Sequence, residues 1–253
     1  MRHPLRFLRY VYCLYALITF IVCMLLVIPF VIVASFFGKV KGGNFIYAAC
    51  SIWADFWFFL IGIRHRNVYE SAHNKNKQYI FVANHISYLD APVIVKTLRQ
   101  KVRVLGKVEM SAIPLFGFIY RNAVVTVNRS SAGHRAKSVR ILKSVIKKGI
   151  SIFIFPEGTF NETHRPLKDL FDGAFRIAIE TQTPIKPLLF LDANERMHYH
   201  SVFSLNPGRS RTVFLHEIPV IGLTGKDVEA LKQKVAAIME QKLQEYKAGW
   251  IHA

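Results

Sequence analysis

Apolar residues are distributed very unevenly along this chain. From Val11 to Phe37 it reads VYCLYALITFIVCMLLVIPFVIVASFF, with no charged position. As a helix rising about 1.5 Å per residue, that run is long enough to cross a hydrocarbon core of roughly 30 Å. A second apolar run, FIYAACSIWADFWFFLIGI, follows the short link GKVKGGN. A secretory signal peptide has a shorter apolar region and a small-residue cleavage site, so the length and the aromatics argue against one. Two complete spans would put Asp55 at lipid depth, at high cost. Basic residues also flank all three ends: Arg2, Arg6 and Arg9; Lys39 and Lys41; Arg64 and Arg66. That asks both sides of the pair to face the cytoplasm. The expectation is a membrane-embedded helical hairpin over residues 1–65, lying within one leaflet and bent at Pro29.

After Arg66 the period shortens. Runs rich in β-branched and aromatic residues recur at 79–83, 102–106, 123–127, 151–155, 184–191 and 211–218. Helical stretches separate the earlier ones: Ala91 to Arg99, Ser111 to Tyr120, Ala132 to Lys148 and Leu170 to Thr181. Strands apolar on both faces that alternate with helices predict an α/β domain over 66–253, a mixed, mostly parallel sheet flanked by helices. The segment DVEALKQKVAAIMEQKLQEY (227–246) has apolar residues at helical spacing and predicts a closing amphipathic helix.

Composition sharpens the picture. Hydrophobic residues make up 52% of the 253 and aromatics 13%, and the formal net charge is +18. No acidic residue precedes Asp55, and between Asp90 and Glu157 only Glu109 is acidic. A solvated surface normally mixes both signs, so the imbalance predicts a polyanionic partner, and with the apolar front that partner is anionic membrane lipid. The helix HRAKSVRILKSVIKKG turns Val139, Leu142, Val145 and Ile146 one way and leaves Arg135, Arg140, Lys143 and Lys147 mostly on other faces, which keeps a non-catalytic anionic-lipid binder in view. Nucleic acid is not expected, since no reader motif is visible. Cys13, Cys23 and Cys50 form no C-x-x-C pair, and the histidines no H-x-x-x-H or H-E-x-x-H, so neither disulfides nor a metal site is expected.

Ligands bind beyond the carboxyl ends of strands in such sheets. Two polar segments fall there: NHISYLD (84–90) after YIFVA, and FPEGTF (155–160) after SIFIF. Taken singly each has a plain explanation. Asp90, before Ala91-Pro92, is an ordinary helix N-cap, and Glu157-Gly158 an ordinary turn. Together they place His85, Asp90 and Glu157 on one sheet edge. An imidazole near neutral pKa, oriented by a carboxylate, is a general base. There is no G-x-S-x-G and no reactive cysteine, so direct attack by a substrate hydroxyl fits better than a covalent acyl-enzyme. Ser87 as nucleophile is the minor alternative.

With these residues in view, the chain resembles the 1-acylglycerol-3-phosphate acyltransferases and the wider glycerolipid acyltransferases. The resemblance runs from about Val82 to Leu189 in four ordered blocks: NHISYLD; GKVEMSAIPLFG with Arg129 in TVNRS; FPEGTF; and TPIKPL. It implies His85 and Asp90 as catalytic residues, with Asn84, Ser87, Lys107, Arg129, Glu157, Gly158 and Thr159 binding substrate. It implies acyl transfer from acyl-CoA or acyl-carrier protein to the free hydroxyl of a lysolipid, 1-acylglycerol-3-phosphate foremost, giving phosphatidic acid. No bound cofactor or metal is required. The implied location is the cytoplasmic face of a bacterial inner membrane. One position departs from the pattern: Phe160 stands where phosphate-acceptor members usually carry Arg. A different lysolipid acceptor, or thioesterase or lysophospholipase activity, therefore remains as an alternative.

Overall fold

A computed structural model describes residues 3–128 and 131–251. Two helices open it, α1 (His3–Ser35) and α2 (Gly43–Leu60), joined through one π-helical turn at Gly38–Gly42. They run antiparallel: Trp57 Nε1 donates to Ala16 O at 3.0 Å and Tyr15 OH to Leu60 O at 3.1 Å, while Gly42 packs on Ala34 O so closely that a Cβ would lie 2.0 Å from it. The buried guanidinium of Arg103 holds the connecting turn, donating to Lys39 O and Val40 O at 3.0 Å each.

The rest alternates strand and helix: β1 (Ile63–Tyr69), β2 (Ile80–Ala83), α3 (Asp90–Thr97), β3 (Val102–Lys107), α4 (Phe116–Ala123), β4 (Val124–Val127), α5 (Ala132–Ile146), β5 (Ser151–Ile154), α6 (Gly173–Thr181), β6 (Ile185–Phe190), α7 (Ala193–Arg196), β7 (Gly208–Phe214) and α8 (Val228–Glu245). The strands form one sheet in the order β1-β7-β6-β2-β5-β3-β4. Every pairing is parallel except β6 with β7. β2, β3, β4, β5 and β6 therefore end at one edge, where β7 and β1 begin.

Two cores flank the sheet. On one face Phe81, Phe153, Phe190 and Phe214 pack with Trp57 and Phe58 of α2 and Ala16 of α1, so the hairpin shares its core with the strands. On the other, Ile80, Ile152 and Val213 pack against α5, α6 and α8 through Leu142, Phe175 and Val235. Phe81, Phe153 and Phe190 are almost fully buried, each stabilising the fold by about 1.5–3 kcal/mol relative to exposure.

Besides the short α7, which no pattern marks, and α6, which starts at Gly173 in place of Leu170, three elements differ from the sequence pattern. β1 spans Ile63–Tyr69 and crosses the division expected after residue 65. Its alternating charges mark an edge strand, and read alone they mimic a helix flank. The helix expected over 111–120 is split: a 3₁₀ turn at Val108–Ala112 is followed by α4 at Phe116. Pro114 disfavours helix at the residue before it, and Leu115 takes φ +62°. β7 begins at Gly208 and ends at Phe214; beyond it Ile218 makes only an isolated bridge to Ile185.

Candidate active site

The strand edge where β2 and β5 end carries both polar segments. Beyond β2 the chain turns through Asn84 to Leu89 into α3, whose first residue is Asp90. Asp90 is fully buried, and its Oδ2 accepts three hydrogen bonds: from the backbone N–H of Ile86 at 2.8 Å and of Ser87 at 2.9 Å, and from His85 Nδ1 at 2.7 Å. Asp90 begins α3 but does not cap it: the N-cap position falls on Leu89 with no side-chain bond, and the carboxylate instead gathers the preceding loop and the imidazole. Its Oδ1 is buried with no hydrogen-bond partner among the described residues. With Nδ1 engaged, Nε2 is the ring nitrogen left for a substrate, and the His85 side chain is 22% exposed.

Three further contacts fix His85. Its ring lies flat on Phe155, centroids 3.9 Å apart and planes 10° from parallel, and Phe160 stands edge-on at 4.4 Å. Its backbone N–H donates to Glu157 Oε1 at 2.7 Å, and its carbonyl accepts from the Asn161 N–H at 2.7 Å. The FPEGTF segment after β5, with Asn161 just beyond it, therefore holds the histidine by both ring and backbone. The turn itself needs Gly158 at φ +76°, a conformation that costs glycine little.

Glu157 is 2% exposed and uses both oxygens inward, Oε1 for His85 and Oε2 for the Lys168 N–H at 2.9 Å. Burial pushes its carboxyl up to about 7, against the pull of the two backbone N–H donors. The sequence-based expectation of a substrate contact meets a carboxyl that clamps two loops. Asn84 and Ser87 are likewise turned inward. Asn84 is fully buried and ties β2 to β6, its amide donating to Phe190 O at 3.0 Å while its oxygen accepts from Phe190 N at 2.8 Å. The Ser87 hydroxyl, also fully buried, donates to Met197 O at 2.5 Å and accepts from Leu89 N at 3.0 Å. Both hold the loop rather than face a ligand, because their polar atoms are already paired.

Thr159 is exposed beside the histidine, its hydroxyl accepting from Lys168 Nζ at 2.7 Å. Lys107 is exposed at the end of β3, on the same edge but two strands from β2, about 10 Å away. Arg129 lies outside the described residues. Lys168 and Asn161 escape sequence reading, since each sits in an aperiodic loop and acts mainly through its backbone N–H. Phe155 and Phe160 lie inside the segment already singled out, but no pattern in it marks a ring for stacking on an imidazole. Among the described residues no cluster of three or more metal-binding side chains occurs.

The sequence pattern of the family described as Acyltransferase matches residues 64–191, which contain this whole constellation, and the chain belongs to that family. An uncharacterised acyltransferase of Schizosaccharomyces pombe is 32% identical over 178 residues, 68% of this chain and 62% of its own. A chloroplastic 1-acyl-sn-glycerol-3-phosphate acyltransferase of Brassica napus is 27% identical over 215 residues, 83% of this chain and 60% of its own. The chain thus spans about three fifths of the length of these two relatives. The crystal structure of the 1-acyl-sn-glycerophosphate acyltransferase of Thermotoga maritima has the same fold, with a TM-score of 0.75 over 100% of both chains at 20% identity.

Proposed function

We propose that this protein is a membrane-bound O-acyltransferase that moves a fatty acyl group from an acyl thioester to the hydroxyl of a lysolipid, with 1-acylglycerol-3-phosphate as the leading acceptor. The observation that carries the reading is the 2.7 Å contact from His85 Nδ1 to a buried carboxylate. It fixes the tautomer that makes Nε2 a base. Nε2 takes the proton of the acceptor hydroxyl, and the oxygen attacks the thioester carbon. The new C–O bond forms as the carbonyl becomes an oxyanion, which pre-placed donors must stabilise. Collapse then breaks the C–S bond, and the proton held on Nε2 leaves with the thiolate. Family membership and the likeness to lysophosphatidate acyltransferases support the acceptor class; Phe160 is the feature that favours testing other headgroups.

Attachment to one leaflet is supported by how α1 lies. Arg6–Ser35 is long and apolar enough to cross a bilayer, and little of it is buried. Yet both ends of α1 are tied to the body: the Cys13 thiol donates to Phe203 O at 3.2 Å, and Met24, Val31 and Ala34 pack on Ile119 and Ala123 of α4. Asp55 of α2 pairs with Lys96 and Arg99 of α3 and the following turn, so its charge is met by protein. A helix held along its length cannot stand across a bilayer without leaving that seat. Its outer residues, among them Leu26, Phe30 and Val33, are well exposed and suit an acyl-chain environment.

The test is transfer itself. Purified protein in lipid vesicles is given labelled acyl-CoA or acyl-carrier protein with a panel of lysolipids, and the products are identified by mass spectrometry. Acylated lysolipid, absent with His85→Ala, is the expected result. Release of free fatty acid regardless of acceptor would mean a hydrolase instead.

A further inference from the structure

At the edge where His85 sits, β7 and β1 begin, and their first residues pair two arginines with two arginines. Arg64 lies opposite Arg209 and Arg66 opposite Arg211. The alternation along both strands puts all four on one face, since His65, Ser210 and Thr212 turn to the other and bond there with one another and with Thr97. Like charges directly opposite on neighbouring strands destabilise a sheet. One buried carboxylate answers them: Asp192 accepts from Arg211 Nη2 at 2.8 Å and Nε at 3.0 Å, with Arg209 at 3.8 Å. Arg64 and Arg66 are exposed and have no ion pair among the described residues. Guarding the free edge of β1 against pairing explains a charged row on that strand. It does not explain Arg211 of β7, whose backbone is met on both sides, by β1 and by the Leu191 N–H.

The array shares the strand edge of the reaction but takes the other face of the sheet, since the His85 ring stacks on Phe155 on the side of α1 and α2, so a donor held there passes over the strand ends. Arg211 O accepts the Leu191 N–H at 3.1 Å, and Asn84 holds both backbone groups of Phe190, so Arg211 and His85 lie near the same level along the strands. Across the sheet, β7 is two strands from β2 and β1 three, roughly 10 and 14 Å. The four Cα positions mark out a patch of about 5 by 7 Å, wide enough for more than one phosphate. Guanidinium forks match phosphate oxygens in pairs. The patch also occupies the face opposite α1 and α2, so it turns away from the apolar surface that would meet lipid.

We propose that the juxtaposed pairs Arg64–Arg209 and Arg66–Arg211 bind the nucleotide phosphates of a coenzyme A thioester, holding the donor by its water-soluble end while the acyl chain reaches His85. This assignment rests on the acyl-transfer reading above and adds the donor class to it. The acceptor enters from the lipid side and the nucleotide from the aqueous side, so the two substrates do not compete for one entrance.

The test compares two donors with the same acyl chain: acyl-CoA, and acyl-pantetheine, which carries no nucleotide. Wild-type full-length protein should favour acyl-CoA in kcat/KM, and Arg64→Gln/Arg66→Gln/Arg209→Gln should reduce that preference about tenfold or more. Arg64→Gln alone, at the exposed edge, should show part of the loss if the triple variant folds poorly. Arg140→Gln, which removes the same charge from α5, should leave the preference as it was; an equal loss there would reduce the effect to the general field and overturn the site. An unchanged preference in the triple variant overturns it too, as does loss of sedimentation with phosphatidylglycerol vesicles in place of loss of preference. If neither thioester supports transfer by the wild type but acyl-carrier protein does, the site is overturned; if that donor fails too, the acyl-transfer reading fails, and calorimetric titration with adenosine 3′,5′-bisphosphate judges the site separately: tenfold weaker binding by the triple variant supports it, and equal binding overturns it.

Discussion

Phe160 stands edge-on to His85 with ring centroids 4.4 Å apart, and its other side meets Tyr88 at 4.8 Å. The position where an arginine is expected from the family pattern is thus filled by a ring that packs on the base. Phe160→Arg should raise kcat/KM for lysophosphatidate relative to lysophosphatidylcholine by about tenfold, the scale of one charge-assisted hydrogen bond. A uniform drop with both acceptors would show that Phe160 only supports the imidazole.

His85→Ala should abolish transfer while leaving the thermal transition and vesicle association close to wild type. The side chain is partly exposed, and the fold's tie at this point is its backbone, through Glu157 and Asn161. Asp90→Asn should cost about 10²–10⁴ in kcat, the range of general-base catalysis, because an amide can donate to Nδ1 and favour the wrong tautomer. Wild-type turnover in either variant would remove the general-base mechanism.

Ser87→Ala separates a structural hydroxyl from a nucleophile. The Ser87 hydroxyl bridges Met197 O and Leu89 N inside the loop. Its loss should lower stability by about 1–3 kcal/mol, the scale of a buried group left unpaired, with kcat reduced less than tenfold. A loss of several orders of magnitude in kcat at unchanged stability would restore the nucleophile.

Glu157 gives the molecule a pH dependence that can be isolated. Its folded value, about 7, lies above the ordinary 4.5, so between these values the unfolded chain loses the proton while the folded one keeps it. Stability therefore falls as pH rises from about 4.5 to 7 and levels off above, by up to about 3 kcal/mol. Glu157→Gln should flatten that part of the curve, as measured by thermal unfolding in detergent at several pH values. Parallel curves for the two proteins would contradict a carboxyl raised by burial.

How much of this was legible beforehand differs from element to element. The strands at 80–83, 102–107, 151–154 and 185–190 follow from their β-branched and aromatic runs, and α8 from its apolar spacing. β1 did not, since IRHRNVY reads as the basic flank of a helix until β7 supplies its partner. The break before α4 needed Pro114 to be weighed against a helical pattern on both sides of it.

The sequence by itself determined the alternation that builds a mostly parallel sheet, the apolar front, and the pairing of His85 with Asp90. These rest on short-range periodicity and on residues five apart. Only the tertiary structure decided that Asn84, Ser87 and Glu157 spend their polar atoms on the scaffold, that Phe155 and Phe160 pack on the imidazole, and that four arginines meet across β1 and β7. Those outcomes depend on which strands become neighbours and in what register, a choice made by burying two faces of one sheet that no local pattern encodes.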